Sequence, residues 1–438
     1  MACLFGMAGN AAARIIASSG SSPVRNGFSF PNYGPGYAGL SANQMRALFG
    51  SGVCAFVTRD GRCVLTPPAQ AYLVDANQGM DGGHCFGFSE LSLLLFRHEF
   101  PPLARTPINR LRLRGNMQLQ RAIAYTFWWQ ALPALQDAAV RGTPNQVLRF
   151  LIKSLRRRGG ELYTMAIFQP GFVGGHAITP YAVDSRGRGR YDVLVYDNNW
   201  PGQARRVHFD TRTDTWNYVA GVNPSEPDSL YRGNARTATL SLFPTTPGLG
   251  VHFCPFCAAA VGRPRAYNEI TLEGNLYNHA HLLIRDRQGR ALGYERGRFV
   301  SQIPRARAVF PTELSDWRER QEPLYRVPFR VNVQVTVDGS GLRYPDTEHF
   351  SLIGPNHDLA IDGIQIRPGE RERITLNVDK GSMTYNSGGT QTLSPLFSVG
   401  LVTRRGDYSV RTQALSLRPD SVITISDHRA TSTLSIHD

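Results

Sequence analysis

The chain has 438 residues, 42% hydrophobic and 19% charged, which excludes a disordered or collagen-like polymer and gives room for roughly three domains. Its formal charge of +14 comes almost wholly from arginine, since Lys153 and Lys380 are the only lysines, and the arginines are spread along the whole length. No helix-turn-helix, finger or ribonucleoprotein signature accompanies that charge, so no specific nucleic-acid partner is expected, and no apolar run reaches the roughly 18 residues of a spanning helix.

Residues 18 to 40 are rich in Ser, Gly, Pro and aromatics without helical or strand period, and read as an extended lead-in able to dock onto the domain after it. Cys54 and Cys63 flank a hairpin whose Asp60-Gly61 turn brings the ends within bridging reach. Helical spacing then covers 85–100, 117–137 and 144–158, the last with Thr143 as cap and Pro144 in the first turn. Short β-branched and aromatic runs begin at Glu161, His176, Tyr191 and Arg205, and a loop-like stretch extends from Gly221 to about Gly250. Helices and then strands predict an α+β domain. Beyond it, Val331, Val333, Val335 and Val337 alternate with period two, and Ile364/Ile366 and Ile374/Leu376/Val378 flank an Arg367-Pro-Gly-Glu turn, which predicts an all-β sandwich. The expected partition is an N-terminal segment 1–59, a helix-and-sheet domain 60–245, a linker 246–265 and a β-sandwich 266–438.

Chemistry concentrates in Asn77-Gln-Gly-Met-Asp-Gly-Gly-His-Cys-Phe-Gly-Phe-Ser89, where a glycine-rich loop delivers Cys85 to the start of an apolar helix. A helix amino terminus favours a thiolate, and glycines at 82 and 83 leave space for a carbonyl carbon to approach sulfur. Gly174-Gly-His-Ala-Ile opens a later strand with His176, and the next strand ends in Tyr196-Asp-Asn-Asn-Trp200. Joined by a hairpin at Ser185–Arg190, these two strands can set Asp197 or Asn198 beside His176. Nucleophile, base and orienting group then stand in one order along the chain.

These motifs resemble those of the papain-like cysteine peptidase superfamily. Asn-Gln-Gly leading into Gly-His-Cys-Phe-Gly-Phe-Ser is similar to the family's Asn-Gln-Gly and Gly-Ser-Cys-Trp-Ala-Phe-Ser. Gly-His-Ala-Ile resembles its Asn-His-Ala-Val, and Asn198-Asn-Trp its Asn-Ser-Trp, over roughly residues 70 to 210. The interval from Gln78 to Cys85 is one residue longer than is usual in the family, and the Cys-to-His interval is shorter than the typical span of about 130 residues. The resemblance implies a papain-like fold for 60–245 and hydrolysis of a peptide or protein substrate through a thioester. Cys85 would be the nucleophile, His176 the base and then acid, and Gln78 an oxyanion donor with the Cys85 backbone N–H. Asp197 is preferred as the third residue because a carboxylate stabilises an imidazolium more than an amide does, with Asn198 as the alternative. No cofactor is implied.

Transglutaminase or amidase acyl transfer uses the same order of residues, and a catalytically silent adhesin binding through the β-sandwich is a third possibility. His84 reads as a cleft wall or a loop residue, and Trp128-Trp129 as core. Cys254-Pro-Phe-Cys257 is either half of a zinc site, with His279-Ala-His281 as the other half, or a disulfide or a pair of quiet thiols. The Cys54/Cys63 hairpin and the β-rich tail lean toward export, although Met1–Ala8 lacks the basic flank of a signal peptide.

Overall fold

The computed structural model describes residues 14–101, 103, 105–225, 227–275, 277–312, 322–377, 382–389, 393–428 and 433–437. Cys3, Lys380 and Val378 lie outside them. The chain is α+β and divides into two compact units, one of residues 1–38 with 82–249, the other of 39–81 with 250–438. Residues 60–81, expected with the helix-and-sheet domain, instead group with the C-terminal part. The reason is aromatic packing: Phe49 and Tyr72 lie 5.3 and 4.5 Å from the ring of Phe256, and these residues need that late partner to be buried. No helix among the described residues is long and apolar enough to cross a membrane.

The first unit is built, among its described residues, on a nine-stranded antiparallel sheet. At its centre Val173–Gly187 pairs with Tyr163–Gln169 on one side and Arg190–Tyr196 on the other. The connection from Val173–Gly187 to Arg190–Tyr196 is a two-residue turn, Arg188 and Gly189, at φ 51° and 77°; left-handed values at both positions are what lets the turn match the strand twist. Helix Pro144–Arg156 covers the sheet. Thr143 and Gln146 cap it reciprocally, and Val147, Leu148, Leu151 and Leu155 recur at helical spacing and pack with Met165, Ile167, Ile178, Val193 and Val207.

Helix Cys85–Phe96 is predominantly apolar and buried from Cys85 to Leu95, as a helix enclosed by neighbours must be. It packs on Met117–Phe127, and the approach is close: a Cβ at Gly87 would stand 2.1 Å from the carbonyl oxygen of Ile123. The expected helix 117–137 is broken after Phe127 into a 3-10 turn and a short helix from Pro133, because proline disfavours helical backbone at Leu132, which is extended (φ −69°, ψ 132°).

Five strands among the first unit's described residues lie where none was expected, including Val140–Arg141 and Thr215–Ala220. Arg14–Ser18 adds to Val173–Gly187, while Ser229–Asn234 and Leu240–Pro244 occupy the stretch read as loop. In Arg14–Ser18 and Ser229–Asn234 apolar Ile15 and Leu230 face outward beside Arg14 and Arg232, which hides the alternation, and Leu240–Pro244 is only five residues long.

In the second unit, seven-stranded and eight-stranded antiparallel sheets enclose one core. Val333, Val335 and Val337 point into it, whereas Val331 precedes the strand. The Arg367–Glu370 turn carries the chain from one sheet to the other, since His357–Ile366 and Arg371–Asn377 belong to different sheets. Cys54 is disulfide-bonded to Cys63 and Cys254 to Cys257, so the latter pair offers no thiolates for zinc. An ion pair between Arg326 and Glu269, 2.8 Å apart, is buried within this unit.

Candidate active site

Cys85 is the first residue of its helix, and it is the cysteine outside a disulfide among the described residues. The first bond of the helix runs from the Phe88 N–H to the His84 carbonyl at 3.1 Å, so the sulfur sits in the first turn, where the helix dipole favours negative charge. The backbone N–H of Ala177 donates to Cys85 Sγ at 3.1 Å, tying the sulfur to the residue after His176. Donation of this kind stabilises thiolate over thiol.

His176 is placed by strand register, opposite Ile167, and has no exposed surface. Its Nε2 lies 2.9 Å from Asp197 Oδ1. Since a carboxylate only accepts, Nε2 carries the hydrogen and a neutral ring has its lone pair on Nδ1. Asp197 comes directly after the last residue of Arg190–Tyr196 and is fully buried. Its Oδ1 also accepts from the Asn199 N–H at 2.9 Å, and its Oδ2 from the Tyr218 hydroxyl at 2.5 Å. Burial alone would raise this carboxyl, but His176, Tyr218 and the Asn199 N–H together hold it below the usual carboxylate range.

Of the two candidates for third residue, Asp197 meets the imidazole. Asn198 does something else: its Nδ2 donates to the carbonyls of Ala177 at 2.8 Å and Cys85 at 3.2 Å, clamping the histidine strand to the start of the helix. The first unit thus brings Cys85, His176, Asp197 and Asn198 together. Gln78 is the exposed last residue of helix Pro67–Gln78 in the second unit.

The lead-in segment packs directly onto this group. Phe28 N–H donates to the Tyr196 hydroxyl at 3.2 Å, and Asn32 N–H to the Asn198 carbonyl at 2.9 Å. Asn32 Oδ1 accepts from the His84 N–H at 2.8 Å, and the Tyr33 carbonyl takes His84 Nδ1 at 2.9 Å while the two rings lie 4.3 Å apart. Burial pulls His84 down to about 4, so its ring is neutral near pH 7. It serves as a packing partner of the lead-in. Trp128 and Trp129 are core residues.

Sequence reasoning missed Tyr218 and Asn32. Tyr218 sits on Thr215–Ala220, whose alternating burial makes it look like any inward aromatic, and Asn32 lies in a segment without period. Neither position carries a local signal that separates a polar partner of the site from packing. The chain matches no known family model, no curated protein and no solved structure.

Proposed function

We propose that the chain is a papain-like thiol hydrolase that cleaves peptide bonds. The observation that carries this reading is the His176–Asp197 bond of 2.9 Å on a strand whose next N–H donates to Cys85 Sγ, at the amino end of an apolar helix. The order of helices and then antiparallel strands in the first unit supports the same reading.

The Cys85 thiolate attacks the carbonyl carbon and the oxygen takes the negative charge, next to the N–H groups of the first helical turn. Collapse breaks the C–N bond as imidazolium gives its proton to the leaving amine, leaving a thioester on Cys85. Water then attacks, His176 takes its proton, and thiolate leaves as the carboxylic acid forms. Asp197 keeps the ring in one tautomer and stabilises its charged form. Cys85, His176 and Asp197 have no exposed surface, so peptide-bond chemistry there requires the packing around them to open.

Alkylation of native protein by a substoichiometric thiol reagent near pH 6, mapped by mass spectrometry, tests the reading. An ordinary cysteine, with pKa about 8.5, reacts poorly there. Selective labelling of Cys85 that is lost in His176→Ala and weakened in Asp197→Ala is expected. Labelling of Cys85 no faster than of Cys3, or unaffected by His176→Ala, would overturn the proposal.

A further inference from the structure

The second unit holds a cluster of side chains that the thiol chemistry does not use. His281 opens the strand His281–Asp286, which pairs along its length with Val333–Asp338, and His279 lies two residues earlier. Glu322 comes from the approach to another strand, Leu324–Pro328. One ligand atom from each of the three lies within 4.8 Å of the others, and all three residues are of intermediate burial.

The groups are held in place by neighbours. Glu322 Oε1 accepts from the Leu282 N–H at 3.0 Å and from the Tyr325 hydroxyl at 2.6 Å, which fixes the carboxylate independently of either histidine. Its Oε2 lies 2.7 Å from His281 Nδ1. The His281 ring stacks on Tyr294 with centroids 4.2 Å apart. His279 Nδ1 lies 2.9 Å from the Ala280 carbonyl; a carbonyl only accepts, so the ring donates from Nδ1 and a neutral imidazole keeps its lone pair on Nε2. Fixing one ring nitrogen by a backbone carbonyl and a carboxylate by outer donors is how metal ligands are oriented.

We propose that His279, His281 and Glu322 form a site for one divalent transition-metal ion of the zinc class. Two imidazoles and one carboxylate are a borderline donor set that suits zinc over calcium or magnesium, which seek more oxygens. Donors on a tetrahedral zinc with bonds of about 2.0–2.2 Å stand roughly 3.3 Å apart, so the widest pair here closes by about 1.5 Å at most, a side-chain adjustment. On binding, the ion takes the place of the hydrogen between His281 and Glu322. Three protein ligands leave a fourth position for water or for a donor from a bound molecule. The competing explanation is a hydrogen-bonded His281–Glu322 pair with His279 nearby by chance; such a pair needs no contribution from His279.

The test uses the whole 438-residue chain, untagged and carrying Cys3→Ala and Cys85→Ala, which removes the thiols outside the two disulfides as rival ligands. Cobalt(II) is titrated and followed by visible d–d absorption, and zinc is counted per chain by equilibrium dialysis. One ion per chain is expected, with the absorption of a four-coordinate site lacking thiolate. His279→Ala and His281→Ala should each weaken binding about 100-fold, and Tyr325→Phe, which removes an outer donor, about tenfold. His281→Gln, which keeps an amide facing Glu322, guards against loss of fold and is compared at matched melting behaviour. Fewer than about 0.2 zinc ions per chain at saturating metal overturns the site. So does an affinity that is unchanged in the His279→Ala/His281→Ala double variant.

Discussion

Glu90 ties the stability of the first unit to pH. It sits on the helix that begins with Cys85, has no exposed surface, and burial raises its carboxyl to about 8. The hydroxyls of Thr164 and Thr245 offset part of that rise, and Glu161 adds to it. A carboxyl whose folded pKa lies above its unfolded value near 4.5 binds its proton more tightly when folded. Its share of stability is therefore greatest below about pH 4.5, declines as pH rises, and levels off above about 8. At pH 7 some two and a half pH units of that window have been crossed, which at about 1.4 kcal/mol per unit amounts to roughly 3 kcal/mol. That is a large fraction of the stability of an ordinary domain.

Glu90→Gln keeps the size and removes the titration. Urea unfolding monitored by tryptophan fluorescence suits the comparison, because Trp128, Trp129, Trp200 and Trp216 all belong to the first unit. The variant should gain on wild type by roughly 3 kcal/mol between pH 4.5 and pH 7, whatever constant offset the amide brings. Profiles that run parallel across that range would refute the argument that burial keeps Glu90 protonated.

Gly87→Ala should destabilise the first unit by about 2–3 kcal/mol, read as a lowered melting temperature, because the new Cβ meets the Ile123 backbone at 2.1 Å and the two helices must separate. Glu269→Ala removes the carboxylate paired with the buried Arg326 guanidinium and should cost about 3–5 kcal/mol of the second unit's stability in chemical denaturation, while the paired change Glu269→Leu with Arg326→Met costs much less. On the proposed peptide-bond chemistry, Asp197→Asn should lower kcat/KM by about 10²–10⁴-fold. Tyr218→Phe should lower it less and move the acid limb of the pH–rate profile upward, since Asp197 loses a donor that holds its carboxyl down.

The candidate site was legible where chemistry and local pattern coincide. Cys85 announces itself by glycines before it and an apolar helix after it, and His176 by the glycines that open its strand. Asp197 and Asn198 were not separable, because the choice depends on how the chain turns after Tyr196 and adjacent residues there point to opposite partners. Edge strands such as Ser229–Asn234 escaped because Leu230 faces outward with Arg232 and Asn234, which breaks the polar–apolar alternation, and only Tyr231 and Gly233 face inward. The break after Phe127 has a local marker in Leu132-Pro133, but apolar spacing continues across it and masks the stop. Which unit residues 39–81 join is a matter of partners more than 150 positions away, and no local window contains them.

That division has a consequence for how the protein is made. The chain passes between units at 38/39, 81/82 and 249/250, so neither can be finished in one continuous stretch of synthesis. At about 5–20 residues per second, a ribosome spends roughly 10 to 30 s on residues 82–249 after releasing 39–81. Throughout that interval Phe49 and Tyr72 wait for Phe256, and Asp75 for the Thr271 hydroxyl 3.3 Å from it in the finished fold. A nascent chain stopped at residue 249 would carry a finished set of candidate catalytic residues beside an orphaned segment with aromatic rings exposed, a natural target for chaperones and for quality-control proteases.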